Sequence, residues 1–169
     1  MHLIIDGYNL LHSGRSQISL SPMELQWQRD RLIDQLSTYG RMRRLEVIVI
    51  FDGWQGGWTT EKKERRKGIE LIFSKLGEKA DDVIKRLVRE KGSGAMVVTS
   101  DRDVSRFVER MAVPVIPSDQ FQKKMEGVTH TMAKGYEEDD EGGKREKGKG
   151  PSRRLSKKAR RAKAALKKL

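Results

Sequence analysis

Three mostly apolar, β-branched runs in this chain each end in an aspartate. They are residues 2–5 followed by Asp6, residues 47–51 followed by Asp52, and residues 96–100 followed by Asp101. Continuous apolar runs of this kind are typical of strands that are covered on both faces of a sheet. Segments with apolar residues at helical spacing separate these runs. The alternation of strands and helices predicts an α/β fold in three layers, with a central, mostly parallel sheet flanked by helices.

The remaining elements are predicted from local signals. Ser21, Pro22 and Glu24 form a capping box with a proline at the first helical position, and we expect that helix to end at Gly40. Further strands are expected at residues 69–73 and 113–116, and further helices near residues 80–88, 104–111 and 121–132.

Positive charge is concentrated at the carboxyl terminus. Of the 36 basic and 24 acidic residues, 14 and 6 follow residue 133, so the last 36 residues carry a net charge of +8 and the first 133 carry +4. We therefore predict an α/β domain over residues 1–133, an acidic and then Gly/Lys-rich linker over 134–151, and a basic tail over 152–169. The composition of the tail favours a segment that is disordered, or helical only when bound.

Several classes of protein are excluded or disfavoured. The chain has no cysteine, which excludes disulfides and thiolate zinc sites, and its three histidines form no ligand-spaced cluster. It has no P-loop motif, no apolar run of about 20 residues that could span a bilayer, and no signal-peptide pattern. A cytoplasmic protein with a polyanionic partner, most simply nucleic acid, is the expectation.

The aspartates at the strand ends predict a site. In an open parallel sheet, ligands bind beyond the carboxyl ends of the strands, so Asp6 and Asp101 would face each other if their strands are neighbours. Asp81 and Asp82, in the first turn of a helix, could approach from the side. Several carboxylates without basic partners repel one another, and Mg²⁺ or Mn²⁺ would relieve that repulsion. An acidic pocket in a basic protein suits the hydrolysis of phosphodiester bonds.

Each acid also has a purely structural interpretation. Asp101 and Asp103 could cap the helix that follows them, and Asp81 and Asp82 could favour the positive end of theirs. Asp52 with Gly53 could simply form a turn. Asn9, close after Asp6, is the only asparagine in the chain, which is harder to explain in this way.

Four motifs of the chain, in order, resemble those of NYN domains, and specifically of the YacP-like bacterial branch of this PIN-like ribonuclease fold. The first is Ile-Ile-Asp-Gly-Tyr-Asn at residues 4–9, and the second is Ile-Phe-Asp-Gly at 50–53. The third is Ala-Asp-Asp-Val-Ile at 80–84, and the fourth is Val-Val-Thr-Ser-Asp at 97–101. The resemblance covers most of residues 1–133 and excludes the basic tail.

The resemblance implies a metal-dependent endoribonuclease in which a metal-activated water attacks the RNA phosphodiester. Asp6 and Asp101 would be direct or water-mediated ligands of Mg²⁺ or Mn²⁺, and Asp81 or Asp82 would complete the set. Asn9 would orient a carboxylate or the scissile phosphate. Asp103 matches a further acid that some relatives carry, and Asp52 would shape the pocket wall.

A tryptophan-containing loop followed by basic residues is a candidate RNA contact. Stacking of bases on aromatic rings beside positive charge is common in the binding of single strands. The candidate residues are Trp54, Trp58, Lys62, Lys63, Arg65, Arg66 and Lys67. We expect them on the same edge of the sheet as the acids. The alternative is that one tryptophan packs on the sheet and the charges are only solvated.

The expected partner is RNA, and mRNA in particular, with the ribosome as a second partner through the basic tail. A tail that only aids solubility is the alternative, and a membrane-surface role is disfavoured because bulky apolar residues are missing. The strongest rival to an enzyme is a non-catalytic RNA- or ribosome-binding protein that keeps the same fold. A Toprim domain also places an Asp-x-Asp after a strand, as at Asp101 and Asp103, but it would need a catalytic glutamate upstream.

Overall fold

The computed structural model describes residues 1–13, 21–53 and 57–133, with side chains as far as residue 127, and the single residue Ala164 beyond them. The strands of this part are β1 (His2–Asp6), β2 (Glu46–Phe51), β3 (Lys62–Arg66), β4 (Ile69–Phe73), β5 (Ala95–Val98) and β6 (Val115–Ile116). They form one six-stranded sheet in the order β3-β4-β2-β1-β5-β6. All neighbouring strands run parallel except β3 and β4, which form an antiparallel hairpin.

Helices cover both faces of the sheet. They are α1 (Gly7–His12), α2 (Pro22–Arg43), α3 (Ala80–Lys91), α4 (Arg102–Arg110) and α5 (Ser118–Ala133). Side chains of α1, α2 and α5 share one buried cluster with the sheet, and those of α3 and α4 share a second cluster with it. The predicted α/β fold with a mostly parallel sheet flanked by helices is therefore confirmed. In the described part of the chain, none of the helices has the length and apolar character that crossing a membrane requires.

The alternation of side chains along β1 shows why its sequence is apolar throughout. Leu3 and Ile5 belong to the cluster beneath α1, α2 and α5, whereas Ile4 belongs to the cluster beneath α3 and α4. All three are fully buried. A strand covered on both faces needs apolar residues at every position, and this is the pattern that β1, β2 and β5 share.

The order of the strands creates a crevice at the carboxyl ends of β1 and β5. From β1 the chain continues outward through β2 and β4 and then returns to the other side of β1 as β5. At such a reversal the connections that follow two neighbouring strands lead in opposite directions, which leaves a crevice between them. Ligands of open α/β sheets bind in this crevice. Asp6 ends β1, and Asp101 lies three residues after β5. Strands β1 and β5 are parallel neighbours, which is the condition under which Asp6 and Asp101 are expected to face each other.

Three local expectations need correction. Residues 62–66, expected in a loop, form the edge strand β3, because an edge strand needs backbone pairing on one side only and its charged side chains face solvent. The segment after Asp6, expected to be a turn and a polar loop, begins as helix α1. Helix α2 passes through Gly40, which is buried against Val47, and ends at Arg43 with Arg44 in a left-handed conformation.

Candidate active site

Asp6 is the buried centre of the candidate site. Its side chain accepts a hydrogen bond from the backbone N–H of Asn9 at Oδ1 (3.1 Å) and one from the hydroxyl of Thr99 at Oδ2 (3.3 Å). Only 7% of the residue is exposed, and its pKa is raised to about 6, mainly by this burial. The negative charges of Asp81 and Asp52 contribute to the rise, and the hydrogen bonds from Asn9 and Thr99 oppose it. A buried carboxylate beside other negative charges is stabilised by protonation or by a bound cation.

Asp81 approaches Asp6 from the first turn of α3. It is half-buried, and burial is the main cause of its raised pKa. The charges of Asp101, Asp52 and Asp82 raise it further, and Lys85 lowers it. Three strand ends and one helix start therefore direct negative charge into a common region, as the sequence predicts.

Asp101 caps α4 and also contributes to this region. Its Oδ1 accepts hydrogen bonds from the backbone N–H groups of Asp103 and Val104, both at 2.8 Å. The capping interpretation is therefore correct, but it engages one of the two carboxylate oxygens. The hydroxyl oxygen of Thr99 accepts the backbone N–H of Asp101 (3.1 Å) and donates to Asp6. Thr99 thus connects the two aspartates, and capping is compatible with a chemical role for Asp101.

Asn9 holds together the loops around the site. Its Oδ1 accepts hydrogen bonds from the backbone N–H of Ser100 (2.9 Å) and from the hydroxyl of Ser118 (2.8 Å). The backbone N–H of Ser118 in turn donates to the hydroxyl of Ser100 (3.0 Å). These bonds join α1, the loop after β5 and the start of α5. They fit a residue that positions Asp6 and Asp101, and the predicted contact of Asn9 with a phosphate stays a prediction.

Asp52 fastens the start of α3. Its Oδ1 accepts the backbone N–H of Ala80 at 2.7 Å, whereas Lys79, the residue before the helix, provides no side-chain cap. The next residue, Gly53, lies so close to Ser74 that a Cβ atom would be 1.8 Å from its carbonyl oxygen. The bond from Ala80 to Asp52 fixes the start of α3, and with it the positions of Asp81 and Asp82. Asp52 and Gly53 therefore do more than form a turn.

Two of the predicted acids lie outside the buried group. Asp82 is exposed, and its charge acts on the site through Asp81. Asp103 is exposed with 82% of its side chain accessible and lies 3.8 Å from Arg106. The structure therefore brings Asp6, Asp81 and Asp101 together with Asp52 and leaves these two at the periphery.

The fit to a divalent cation depends on the kind of coordination. In the described part of the chain, no three His, Asp or Glu side chains converge closely enough to hold an ion by themselves. Mg²⁺, however, commonly keeps several waters and takes only one or two carboxylates. In that mode one or two of Asp6, Asp81 and Asp101 would bind the ion directly, and water would supply most of the ligands. A closed cage formed by protein alone does not fit.

Trp58 and the basic segment lie at the β3 side of the sheet, and only part of the segment reaches the carboxyl edge. The half-buried Trp58 ring packs edge-on against Phe73, with 5.3 Å between ring centroids, so the packing interpretation holds for this tryptophan. Trp54 lies outside the described residues. Because Lys62 pairs with Phe73 and Arg66 with Ile69, only the Lys62 end of β3 lies at the carboxyl edge. This corrects the expectation that the whole segment lies beside the acids.

Much of the positive charge of this segment has a local partner. Arg66 lies 2.9 Å from Asp30, and Lys67 pairs with Asp34, both on α2. Lys63 lies 3.3 Å from Glu61 and Lys62 lies 3.4 Å from Glu64. The RNA contacts predicted for these residues and for Arg65 stay predictions.

The comparisons with known proteins agree on one family. Residues 3–168 match the model of the YacP-like NYN domain, and the matched stretch includes the basic tail. Bacillus subtilis (strain 168) YacP, described as uncharacterized, is 33% identical over 104 residues, which are 59% of this chain and 59% of that protein.

Two crystal structures of Rae1 (YacP) from Bacillus subtilis share the fold. One, of a point mutant, matches with a TM-score of 0.66 at 22% identity and covers 79% of each chain. The other matches with a TM-score of 0.64 at 24% identity and covers 79% of this chain and 78% of that one. At this identity the structural likeness establishes the arrangement of helices and strands.

Proposed function

Because this chain belongs to the YacP-like NYN domain family and directs the charges of several carboxylates to one end of its sheet, we propose that it is a metal-dependent endoribonuclease. Membership of the family supports a nuclease-like function related to RNA. The observation that carries the proposal is the position of Asp6. It is a buried carboxyl group whose pKa is raised by burial and by two further acids, at the crevice where α/β folds bind ligands.

The residues of the site divide the work in this proposal. Asp6, Asp81 and Asp101 would hold Mg²⁺ or Mn²⁺, which when bound lowers the pKa of a coordinated water and neutralises charge on a phosphate. Thr99 and Asn9 would keep the carboxylates in place through the hydrogen bonds that they make to Asp6 and to the loop before Asp101. Asp52 would set the position of α3, and therefore that of Asp81.

The proposed substrate is RNA, and mRNA in association with the ribosome in particular. The net charge of +12 supports attraction to a polyanion, and most of that charge lies in the tail beyond residue 133. We propose that the tail contributes to ribosome binding.

One observation favours a second function. The described residues provide no set of three acidic side chains close enough to hold an ion. A protein that binds RNA or the ribosome with this fold and does not cut would need no such set.

A cleavage assay separates the two functions. Labelled single-stranded and structured RNA would be incubated with the full chain in Mg²⁺, Mn²⁺ or EDTA, with and without ribosomes. We expect cleavage with either metal ion, none in EDTA, and a loss of about 100-fold in the Asp81→Asn variant. Glu90→Gln is the matched control, since it removes an exposed carboxylate from the other end of the same helix. RNA that binds but stays intact in every condition would establish the non-catalytic function instead.

A further inference from the structure

A groove of about 280 Å³ lies between α2 and the β2, β4 and β3 side of the sheet. Its walls combine three aromatic rings with three positively charged side chains. These are Phe51, Trp58 and Phe73, and Arg29, Lys62 and Arg66. The lining also includes one carboxylate, that of Glu64, which lies 3.4 Å from Lys62. Nothing local in the sequence indicates this groove, because Arg29 is one of several basic residues of α2 and no pattern distinguishes it from Arg31.

The three aromatic rings form a continuous wall. Phe51 and Phe73 are stacked with their centroids 5.7 Å apart, and Trp58 meets Phe73 edge-on at 5.3 Å. The two phenylalanines are buried, whereas Trp58 is only half-buried. Trp58 is therefore the ring of this wall that remains partly accessible.

The positively charged groups lie over this wall. The Nζ atom of Lys62 is 4.8 Å from the centroid of the Trp58 ring, and the Cζ atom of Arg29 is 6.0 Å from that of Phe51. The Nε–H of Arg29 is buried, and none of the described residues accepts a hydrogen bond from it. A buried donor without an acceptor is costly. The guanidinium group itself lines the groove, where the phosphate of a ligand can accept hydrogen bonds from it.

These features together fit one kind of occupant. A flat apolar surface takes the face of a nucleobase, and guanidinium and ammonium groups beside it take the phosphate of the same nucleotide. The groove is close to the lower limit of about 300 Å³ for small-ligand sites, so it has room for single nucleotides and not for a duplex. Bases are free to stack on side chains only where the RNA is unpaired.

The groove adjoins the acidic site through Tyr8. The Nη1 atom of Arg29 donates to the hydroxyl of Tyr8 at 3.4 Å, and the Tyr8 ring packs edge-on against Phe51 with 5.2 Å between centroids. Tyr8 lies two residues after Asp6. A strand of RNA that reaches the groove would thus pass Tyr8 on its way to the carboxylates.

We infer that the groove between α2 and β3 binds an unpaired nucleotide of the RNA substrate, adjacent to the phosphate at the acidic site. Trp58 stacks on the base, and Arg29 and Lys62 bind the phosphate. The inference rests on the proposed function for its substrate class, and it assigns to α2 a role that makes the chain selective for single-stranded RNA.

Binding of RNA without cleavage tests this inference. The probe is a fluorescein-labelled single-stranded hexanucleotide RNA, titrated with the full chain in EDTA and followed by fluorescence anisotropy. We expect Trp58→Leu and Arg29→Met each to weaken binding by at least about fivefold, since stacking on one aromatic side chain contributes about 1–3 kcal/mol. The matched controls are Trp27→Leu and Arg31→Met. They remove an indole and a guanidinium that face each other at 5.6 Å in the same helix, and neither residue lines the groove.

A scan with abasic positions distinguishes stacking from a loss of folding. In the wild type, removal of one particular base should weaken binding by about fivefold, and in Trp58→Leu the same removal should have no further effect. Trp58→Phe should keep the dependence on that base because it keeps an aromatic ring. A flat scan in the wild type, or equal binding by Trp58→Leu and Trp27→Leu, would overturn the inference.

The two proposals can fail separately. Base-dependent binding without cleavage in Mg²⁺ or Mn²⁺ would support the inference about the groove and refute the proposed nuclease activity. Cleavage by the wild type, together with binding that no abasic position weakens, would support the nuclease activity and refute the inference about the groove.

Discussion

The dipeptide Asp-Gly occurs at the ends of β1 and β2, two neighbouring parallel strands, and the two copies do different work. Asp6 is buried at the crevice between β1 and β5, and its pKa is raised to about 6. Asp52 is half-buried and accepts a hydrogen bond from the first residue of α3. The difference shows that an aspartate at a strand end becomes a buried carboxyl group with a raised pKa where the order of strands reverses. One strand away, the same residue is used to anchor a helix.

Asp101 extends this comparison to a third strand end, and its substitution has a large expected effect. The substitution Asp101→Asn should lower the rate of RNA cleavage by about 100-fold, because it removes a charge from the site. It should leave the free energy of unfolding nearly unchanged, because asparagine caps a helix about as well as aspartate does. Initial cleavage rates and urea denaturation of the same samples measure both. A loss of stability equal to that of Asp101→Ala, with cleavage intact, would reduce Asp101 to its capping role.

Substitution of the glycine that follows each aspartate compares how tightly the backbone is packed at the ends of β1 and β2. A Cβ atom at Gly53 would lie 1.8 Å from the carbonyl oxygen of Ser74, whereas one at Gly7 would lie 2.3 Å from the ring of Phe51 and 2.8 Å from the carbonyl oxygen of Ile50. The backbone contact at Gly53 is much the shorter of the two, so Gly53→Ala should lower the free energy of unfolding by about 3 kcal/mol and Gly7→Ala by less. Urea denaturation measures both losses. A greater loss of stability in Gly7→Ala than in Gly53→Ala would show that the backbone next to Asp52 adapts more easily than that next to Asp6.

The pH dependence of stability tests the environment of Asp6. Its pKa is near 3.8 when it is exposed and about 6 in the fold, so the folded chain binds the proton more tightly. Stability is then greatest below pH 4 as far as Asp6 contributes, and it falls by about 2–3 kcal/mol as the pH rises to about 6. Wild type and Asp6→Asn should be compared by urea denaturation in EDTA, since the variant lacks this titration. Asp81 and Asp52 are present in both proteins, but their repulsion of the Asp6 charge occurs only in the wild type and is part of the expected difference. Parallel pH profiles would contradict the burial of the Asp6 charge.

The cap formed by Asp52 carries the smallest expected effect. Removal of a helix cap costs about 1 kcal/mol, so Asp52→Ala should lower the free energy of unfolding by about that amount. Hydrogen exchange should increase at the backbone amide of Ala80, which loses its acceptor. An unchanged exchange rate at Ala80 would show that Asp52 does not anchor α3.

The parts of the molecule that depend on local signals could be predicted from the sequence. The β-branched runs give the buried strands, and the capping box at Ser21 and Glu24 forms both of its expected hydrogen bonds. The location of Asp6 and Asp101 at one edge follows from parallel strands alone, because the carboxyl ends of such strands lie on the same side of the sheet. Asp81 joins them through the start of α3, which Asp52 holds in place.

The remaining parts depend on contacts between distant segments. Asn9 bonds to Ser100 across 91 positions and to Ser118 across 109, and no local pattern encodes such partners. Strand β3 contains only charged residues and so lacks a hydrophobic period. The role of Arg29 appears only when α2 is packed over the aromatic wall. These features require the tertiary structure because each one depends on which elements become neighbours.

The central claim is that Asp6 serves chemistry whereas Asp52 serves structure. The most direct test measures the initial rate of RNA cleavage in Mg²⁺ and the free energy of unfolding for Asp6→Asn and Asp52→Asn side by side. The account predicts that Asp6→Asn loses about 100-fold or more in rate without a loss of stability, and that Asp52→Asn keeps its rate within about tenfold. Equal rates in the two folded variants, or a greater loss in Asp52→Asn, would contradict it.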